Sequence, residues 1–231
     1  MMARPGLALA ALALASLTAC DSGSRIPGLG GSGNSAVIRI VNTTGGPIDL
    51  TSNGQVVGGN GYVNAGATSA CINVDPATST IGLREQGATG EVTDFAPVLT
   101  PQVHYTVVAY ASVLGSARAL ALPDQFTPTS GLAALRVVHV APALGSVDVY
   151  VTPVGAALGI PSAVGVGYAG NTGFFDVNPG TSQVRFTTTA STVLAFDAGP
   201  VTLVPGQLYT MVLSSPNSAL ASPVATLVPS C

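Results

Sequence analysis

The sequence contains no lysine and no tryptophan, and charged residues of any kind are scarce. Only 7 % of the 231 residues are charged, with seven arginines against ten aspartates and glutamates, so the formal net charge is −3. Binding to nucleic acid depends on clusters of lysine and arginine that neutralise phosphates. The sequence has no such cluster, and we therefore expect no nucleic-acid partner.

Long apolar runs are missing as well. A membrane-spanning helix needs about 20 consecutive apolar residues, whereas the apolar residues here occur in short runs between turns that are rich in the 28 glycines and 17 prolines. No segment shows the apolar period and the caps of an amphipathic helix. Short β-branched runs bounded by turn residues predict an all-β protein.

The side chains that enzymes use are few and scattered. The two histidines, His104 and His139, have no metal-ligand residues at local spacing, and no glutamate follows Glu91. The nucleophile motif G-x-S-x-G does not occur. The G-x-G-x-x-G pattern at Gly28–Gly33 lacks the preceding strand and the following helix that dinucleotide binding requires. We predict no catalytic residue, no metal site and no cofactor, and the pattern favours a non-enzymatic protein.

Residues 1–19 have the layout of a bacterial signal peptide, with a positive charge at Arg4 and an apolar segment at Leu7–Leu17. The following Leu17–Cys20, with the sequence L-T-A-C, resembles the lipobox of bacterial lipoproteins. That resemblance implies that Cys20 becomes the lipidated first residue after cleavage. The alternative is ordinary secretion, with Cys20 as a spare thiol.

Residues 20–35 are rich in glycine and serine, which is typical of a flexible tether. The expected protein is exported and lipid-anchored to the bacterial cell membrane or outer membrane, facing the periplasm or the cell surface. Its membrane contact would run through the lipid on Cys20.

The remainder of the chain has the pattern of an internal duplication of one fold. Three segments of the first half have counterparts in the second half, in the same order and at similar spacing. The matched pairs are Val37–Thr51 with Arg136–Val151, Val74–Ser79 with Val177–Ser182, and Leu99–Thr106 with Leu203–Thr210. The polar stretch 124–131 predicts a linker between a first domain, residues 36–123, and a second domain, residues 132–231.

Each half contains many short apolar runs with turns between them, which favours a sandwich over a barrel or a solenoid. We therefore predict two tandem immunoglobulin-like antiparallel β-sandwich domains. Tyr105 and Tyr209 each enter a late strand just after a Pro-bearing turn, like the tyrosine corner of such sandwiches. Their rings would fill the edge of the core, and their hydroxyls would bond nearby backbone.

The segment Arg136–Val151, R-V-V-H-V-A-P-A-L-G-S-V-D-V-Y-V, resembles the opening motif of the bacterial domain-of-unknown-function family 4397. The positions that carry the resemblance are Arg136, His139, Pro142, Asp148 and Tyr150. It implies an exported protein, often a lipoprotein, with one or more immunoglobulin-like sandwiches, and it implies no reaction. The first half departs from the motif, since Ile40 stands in place of His139 and only Asp49 and its apolar neighbours persist.

We expect the five motif residues to be structural. His139 would tie its strand to the following turn, with Asp148 as a candidate partner, and a catalytic role is the alternative. Asp49 and Asp148 occupy matching positions inside apolar strands. They would accept backbone N–H bonds or face solvent, and carboxylates of a binding site are the alternative.

Two cysteines, Cys71 and Cys231, remain once Cys20 is lipidated. An exported compartment permits disulfides, so we predict a bridge that joins the two halves. Free buried thiols are the alternative, since the required separation of the Cα atoms is not visible in a sequence.

The favoured function is therefore a non-enzymatic, lipid-anchored envelope protein that binds a protein or a glycan, or that serves as a structural spacer. The alternative is an exported hydrolase with a site in the cleft between the domains, where pockets often form. A deep polar cleft lined by His139 and Asp148 would favour the hydrolase.

Overall fold

The computed structural model describes residues 33–57, 62–92, 95–215 and 221–231. The predicted signal segment, Cys20 and most of the predicted tether lie outside the described residues. Within these ranges, no helix is long and apolar enough to cross a membrane.

The described residues form fifteen β-strands and one short 3₁₀ helix, Pro142–Leu144. The strands are β1 (Ala36–Thr43), β2 (Ile48–Ser52), β3 (Gln55–Val57), β4 (Ile72–Val74), β5 (Ile81–Glu85), β6 (His104–Ala111), β7 (Ala117–Pro123), β8 (Ala133–Val140), β9 (Val147–Pro153), β10 (Ala163–Val166), β11 (Gly170–Val177), β12 (Gly180–Thr188), β13 (Leu194–Leu203), β14 (Leu208–Ser214) and β15 (Val224–Pro229).

Two sheets make up the first half, with strand orders β4-β1-β6-β7 and β3-β2-β5. Side chains alternate between the two faces of a strand, so Ile38 and Ile40 of β1 point the same way. They meet Ile48 and Leu50 of β2 in a core where all four side chains are buried. The alternation visible in the sequence thus produces the sandwich.

The second half repeats this arrangement with strand orders β11-β8-β14-β15 and β10-β9-β12-β13. Strand β8 takes the place of β1, and β14 takes the place of β6. The core of this half is centred on Phe186, which is buried with Leu135 and Met211. Strand β13 has no counterpart among the described strands of the first half.

The prediction of an all-β sandwich fold is confirmed, and most strand pairs are antiparallel, but each half also contains one parallel pair. Strand β1 pairs in parallel with β6, and β8 pairs in parallel with β14. Parallel neighbours need a long connection that returns to the same end of the sheet. The chain provides one in each half, because it builds the opposite sheet between the two strands.

A third core lies between the halves. The sheet that contains β1 packs against the sheet that contains β8, through a cluster of buried residues that includes Val41, Val108, Val138 and Val212. The molecule is therefore a stack of four sheets with three apolar layers between them. This stacking explains why all eight residues of β8 are buried, since one face of β8 meets the second core and the other face meets the third.

Both predicted tyrosine corners are confirmed. The hydroxyl of Tyr105 accepts a hydrogen bond from the Thr100 N–H at 3.0 Å, and the hydroxyl of Tyr209 accepts one from the Val204 N–H at 3.2 Å. Both rings are buried at the edge of a core. Each corner fixes the turn that leads into the long parallel strand of its half.

Candidate functional site

His139 lies on β8 and is fully buried. Its Nε2 lies 2.6 Å from the carbonyl oxygen of Gly145, and its Nδ1 accepts from the Ala141 N–H at 3.4 Å. A carbonyl only accepts, so the neutral ring carries its proton on Nε2. Burial lowers the pKa of His139 below its usual 6.5, and the bond to Gly145 partly opposes this. The side chain thus joins the end of β8 to the turn before β9.

The depressed pKa makes the stability of the protein depend on pH. Folding keeps His139 neutral, so its contribution is complete above the unfolded pKa of about 6.5 and is lost as pH falls. We expect the free energy of unfolding of wild type to fall below pH 6.5 more steeply than that of His139→Gln. The extra slope is at most about 1.4 kcal/mol per pH unit for one proton. Urea titrations between pH 8 and pH 5 measure it.

His104→Gln is the matched control for that experiment, because His104 is the exposed histidine at the start of β6. The steep part of the wild-type curve must persist in this variant. Parallel curves for wild type and His139→Gln would contradict the assignment.

Asp148 fastens two neighbouring segments. Its Oδ1 accepts from the Gly165 N–H at 2.7 Å, and its Oδ2 accepts from the Ala190 N–H at 3.1 Å. Val147 and Val149 point into the second core, so Asp148 points away from it, whereas His139 shares the core-facing side of β8. The two side chains lie on opposite sides of the sheet that contains β9, and both carboxylate oxygens of Asp148 bind backbone amides instead of His139. The expectation that they are partners is therefore wrong.

The other motif residues on this side of the molecule also have local contacts. Pro142 opens the 3₁₀ helix. Tyr150 is buried on β9, directly across from Arg185 of β12. The Arg185 guanidinium donates to Thr152 Oγ1 at 2.6 Å and to the Ala156 carbonyl at 2.7 Å.

Asp49, the counterpart of Asp148, is buried on β2 and lies across from Arg84 of β5.

Arg136 lies at the junction of the two halves. Its Nη2 binds Asp124 Oδ1 at 2.6 Å and donates to Thr210 Oγ1 at 2.8 Å, and its Nη1 donates to the Pro123 carbonyl at 2.9 Å. The side chains of Arg136 and Asp124 are only 3 % and 1 % exposed. Burial lowers the pKa of Arg136, and Asp124 opposes this shift.

Further contacts complete this buried network. Thr106 Oγ1 donates to both carboxylate oxygens of Asp124, at 3.1 and 2.9 Å. The guanidinium carbon of Arg136 lies 4.4 Å from the ring centre of Phe174, which is a cation–π distance. The stretch 124–131, expected to be a polar linker, thus begins with a buried carboxylate that connects the halves.

Arg39 makes the corresponding contact on the other side of the stack. Its Nη1 donates to the carbonyl of Pro229, the last residue of β15, just as Arg136 donates to Pro123, the last residue of β7. Its Nη2 donates to Cys71 Sγ at 3.0 Å. Burial lowers the pKa of Arg39, and Asp124 raises it.

Cys71 and Cys231 form a disulfide, with Cα atoms 5.9 Å apart. The predicted bridge is therefore confirmed. It fastens the end of β15 to the first half next to β4. On the opposite side of the stack, the chain itself connects β7 to β8. The two halves are held together covalently on both sides.

A groove opens at the junction of the halves, with a volume of about 280 Å³. It is lined by Tyr110, Ser112, Val113, Leu114, Arg118 and Tyr168. The rings of Tyr110 and Tyr168 meet edge to face with centres 6.0 Å apart. The Tyr168 hydroxyl donates to the Ala111 carbonyl at 3.3 Å, which joins the second half to the first.

The electrostatics of this groove are set by burial and by Arg118. Burial raises the pKa of Tyr110 and of Tyr168, and Arg118 partly opposes both shifts. No acidic residue is among the six residues that line the groove. The groove is therefore apolar and aromatic, with one cationic side chain. The sequence reasoning missed it, because Tyr110 and Tyr168 are far apart in the chain.

The polar side chains of the motif form hydrogen bonds that connect strands and turns. His139 is fully buried and Asp148 holds two backbone amides, so neither offers a free group to a substrate. Across the described ranges, no three His, Cys, Asp or Glu side chains are grouped closely enough to hold a metal ion. The fold and these contacts define an all-β protein of two fused sandwiches.

Residues 36–150 match the model of a family described as a domain of unknown function, DUF4397. Through these residues the chain belongs to that family, as the motif in Arg136–Val151 predicted. The matched region runs from β1 through the whole first half and ends within β9.

No curated protein matches the chain. Among solved structures, the chain is similar to a family 26 carbohydrate-binding module of Amy13K from Eubacterium rectale, crystallised in complex with maltoheptaose. The identity is 10 % and the TM-score is 0.28, over 85 % of this chain and 97 % of that chain. This likeness is too distant to assign a ligand.

Proposed function

We propose that this protein is a non-enzymatic, lipid-anchored component of the bacterial cell envelope that binds a partner protein at the groove between its two halves. The lipid on Cys20 would hold the protein at the membrane, and residues 20–35 would act as the tether. The stacked sandwiches would present the groove as a preformed surface.

The observation that carries the proposal is the β6–β7 turn beside the groove. Leu114 is 94 % exposed and Val113 is 60 % exposed. Two adjacent aliphatic side chains in solvent, next to an aromatic groove, are typical of a surface that a protein partner covers. Arg118 adds a cation, so the matching partner surface would carry an apolar side chain beside an acidic one.

A protein fits this groove better than a glycan does. Sugar binding to aromatic residues needs an exposed ring face. Tyr110 is only 6 % exposed, and its ring is in edge-to-face contact with the ring of Tyr168. Exposed aliphatic groups such as Leu114 gain from desolvation by another apolar surface. A polar sugar offers little apolar surface for that contact.

Site-specific crosslinking in intact cells tests the proposal. A photoreactive phenylalanine derivative at position 114 is expected to capture one defined envelope protein. The same derivative at position 160 should not, although Ile160 is also exposed, at 91 %. Arg118→Glu should reduce the crosslink at position 114 by about tenfold or more, because it places like charges together.

Equal capture from positions 114 and 160, or capture unaffected by Arg118→Glu, would contradict a partner site at the groove. Binding of the purified protein to a panel of envelope glycans is the companion measurement. Glycan binding that is lost on Tyr168→Ala, without any protein crosslink, would assign the groove to a sugar. No capture in either assay would favour a structural spacer.

The lipid anchor has its own test. We expect Cys20→Ala to abolish incorporation of labelled fatty acid and to leave the protein either unprocessed or outside the membrane fraction. Cys71→Ser/Cys231→Ser is the control, since it removes the other two cysteines and should keep the label. Label that survives in Cys20→Ala would place the anchor elsewhere.

A further inference from the structure

We propose that the Cys71–Cys231 disulfide is a thiol-exchange site, at which a dithiol reductant attacks Cys231 and releases Cys71 as a thiolate held by Arg39. This inference does not rest on the proposed partner protein. It rests on the contact between a guanidinium and one sulfur of the bridge, and on the way the two halves are joined elsewhere.

The two sulfurs of the bridge have different surroundings. The Nη2 of Arg39 donates to Cys71 Sγ at 3.0 Å, and the same side chain is held in place because Nη1 donates to the Pro229 carbonyl. The hydrogen bonds of Arg39 involve Cys71 and not Cys231. Arginine stays protonated in proteins, so this hydrogen bond places a positive charge at the sulfur of Cys71.

The junctions on the two sides of the stack show why this contact is unusual. Arg136 has the carboxylate of Asp124 as its counterion. At the corresponding position after β15 the chain has Ser230, whose side-chain oxygen is buried without a hydrogen-bond partner. Arg39 therefore donates a hydrogen bond to sulfur where Arg136 donates one to a carboxylate, while Asp124 acts on Arg39 through its charge. An anion that forms at Cys71 would take the place that Asp124 takes beside Arg136.

Thiol–disulfide exchange favours the leaving sulfur with the lower thiol pKa. A neighbouring arginine stabilises a thiolate and lowers the pKa of its thiol. The attacking thiolate would therefore bond to Cys231 Sγ, the bond between the cysteines would break, and the electron pair would stay on Cys71 Sγ beside Arg39.

The second thiol of the reductant completes the exchange. It attacks the reductant's own sulfur in the mixed disulfide, so that the reductant becomes an intramolecular disulfide and Cys231 leaves as a thiolate that takes a proton from solvent. The reductant loses two electrons and the bridge gains two. The product has one ordinary thiol at Cys231 and one reactive thiolate at Cys71.

We expect the two halves to stay together after reduction. A thiol-exchange site requires this, because the protein must remain folded when the bridge is open. The third core, the buried Arg136–Asp124 pair and the ladder between β14 and β15 do not depend on the bridge. Only the residues after Pro229 would be released from the first half, because Arg39 still donates to the Pro229 carbonyl.

Trapping with a monothiol tests the direction of attack. The full mature protein in detergent is mixed with glutathione, quenched at early times with N-ethylmaleimide, and mapped by mass spectrometry. Glutathione is expected on Cys231 and maleimide on Cys71 in most of the modified molecules. Glutathione on Cys71, or equally on both, would overturn the proposal even if no variant folds.

Rates of reduction by dithiothreitol test the role of Arg39. Arg39→Met is expected to slow reduction by about tenfold and to remove the preference for Cys231, because the leaving thiol returns toward its ordinary pKa. Arg39→Lys should recover part of the rate. Arg185→Met removes the same charge from β12, where Arg185 donates to Thr152 and Ala156, and should match wild type. Equal rates in wild type and Arg39→Met would also overturn the proposal.

Discussion

Replacing Asp124 with leucine is expected to lower the free energy of unfolding by about 3–5 kcal/mol, which is the usual cost of removing one partner of a buried ion pair. The guanidinium of Arg136 would remain buried at the junction without its counterion. Thr106 would lose its hydrogen-bond acceptors at the same time. Urea unfolding of wild type and Asp124→Leu at neutral pH measures the difference.

The double variant Asp124→Leu/Arg136→Met shows whether the lost stability comes from leaving Arg136 buried without a counterion or from removing the ion pair as a whole. Buried ion pairs can often be replaced by apolar residues at little cost, so the double variant should regain most of the stability lost in the single variant. Asp197→Leu is the control, because Asp197 is an exposed carboxylate that binds Gln183, and it should cost less than about 1 kcal/mol. A loss below 1 kcal/mol in Asp124→Leu would show that the junction does not depend on this pair.

The sequence shows the strands of this protein better than their assembly. Short β-branched runs bounded by turn residues predicted an all-β protein, and the turns before Tyr105 and Tyr209 predicted both tyrosine corners. These features depend on neighbours in the chain. The parallel pairing of β1 with β6 depends instead on which sheet the intervening strands join, and no local pattern encodes that choice.

One feature of the sequence does indicate that the two halves stack against each other, although the prediction of separate domains did not use it. The run from Ala133 to Val138 is apolar on both faces except at Arg136, and a strand that is apolar on both faces is covered on both faces. Asp124 was assigned to a polar linker, because a single aspartate near proline and threonine is typical of a turn. Its burial becomes visible only when Arg136 is placed opposite it.

The candidate site was partly predictable. The Cys71–Cys231 bridge followed from the count of cysteines and the expected compartment, and the local role of His139 followed from the turn beside it. The groove could not be predicted, because Tyr110 and Tyr168 approach each other only through the third core. The expected contact between His139 and Asp148 failed because period-2 alternation places them on opposite sides of a sheet.

Removing the disulfide with Cys71→Ser/Cys231→Ser is expected to lower the free energy of unfolding by about 3–5 kcal/mol. The bridge closes a loop of 160 residues in sequence separation. Chain entropy alone assigns about 5 kcal/mol to a loop of this length. That full value applies only if both halves unfold together, since a bridge between independently unfolding units constrains less.

The third core decides how much of this value is realised. Because Val108 and Val212 pack against each other's sheets and Arg136 joins Asp124 across the junction, we expect one cooperative transition for the oxidised protein. The double serine variant should still fold, but its two halves should begin to separate in denaturant. Far-ultraviolet circular dichroism and tyrosine fluorescence should then report different midpoints, with reduced wild type behaving like the variant. Coincident midpoints with a loss below 1 kcal/mol would mean that the third core alone unites the halves and that the bridge adds no stability.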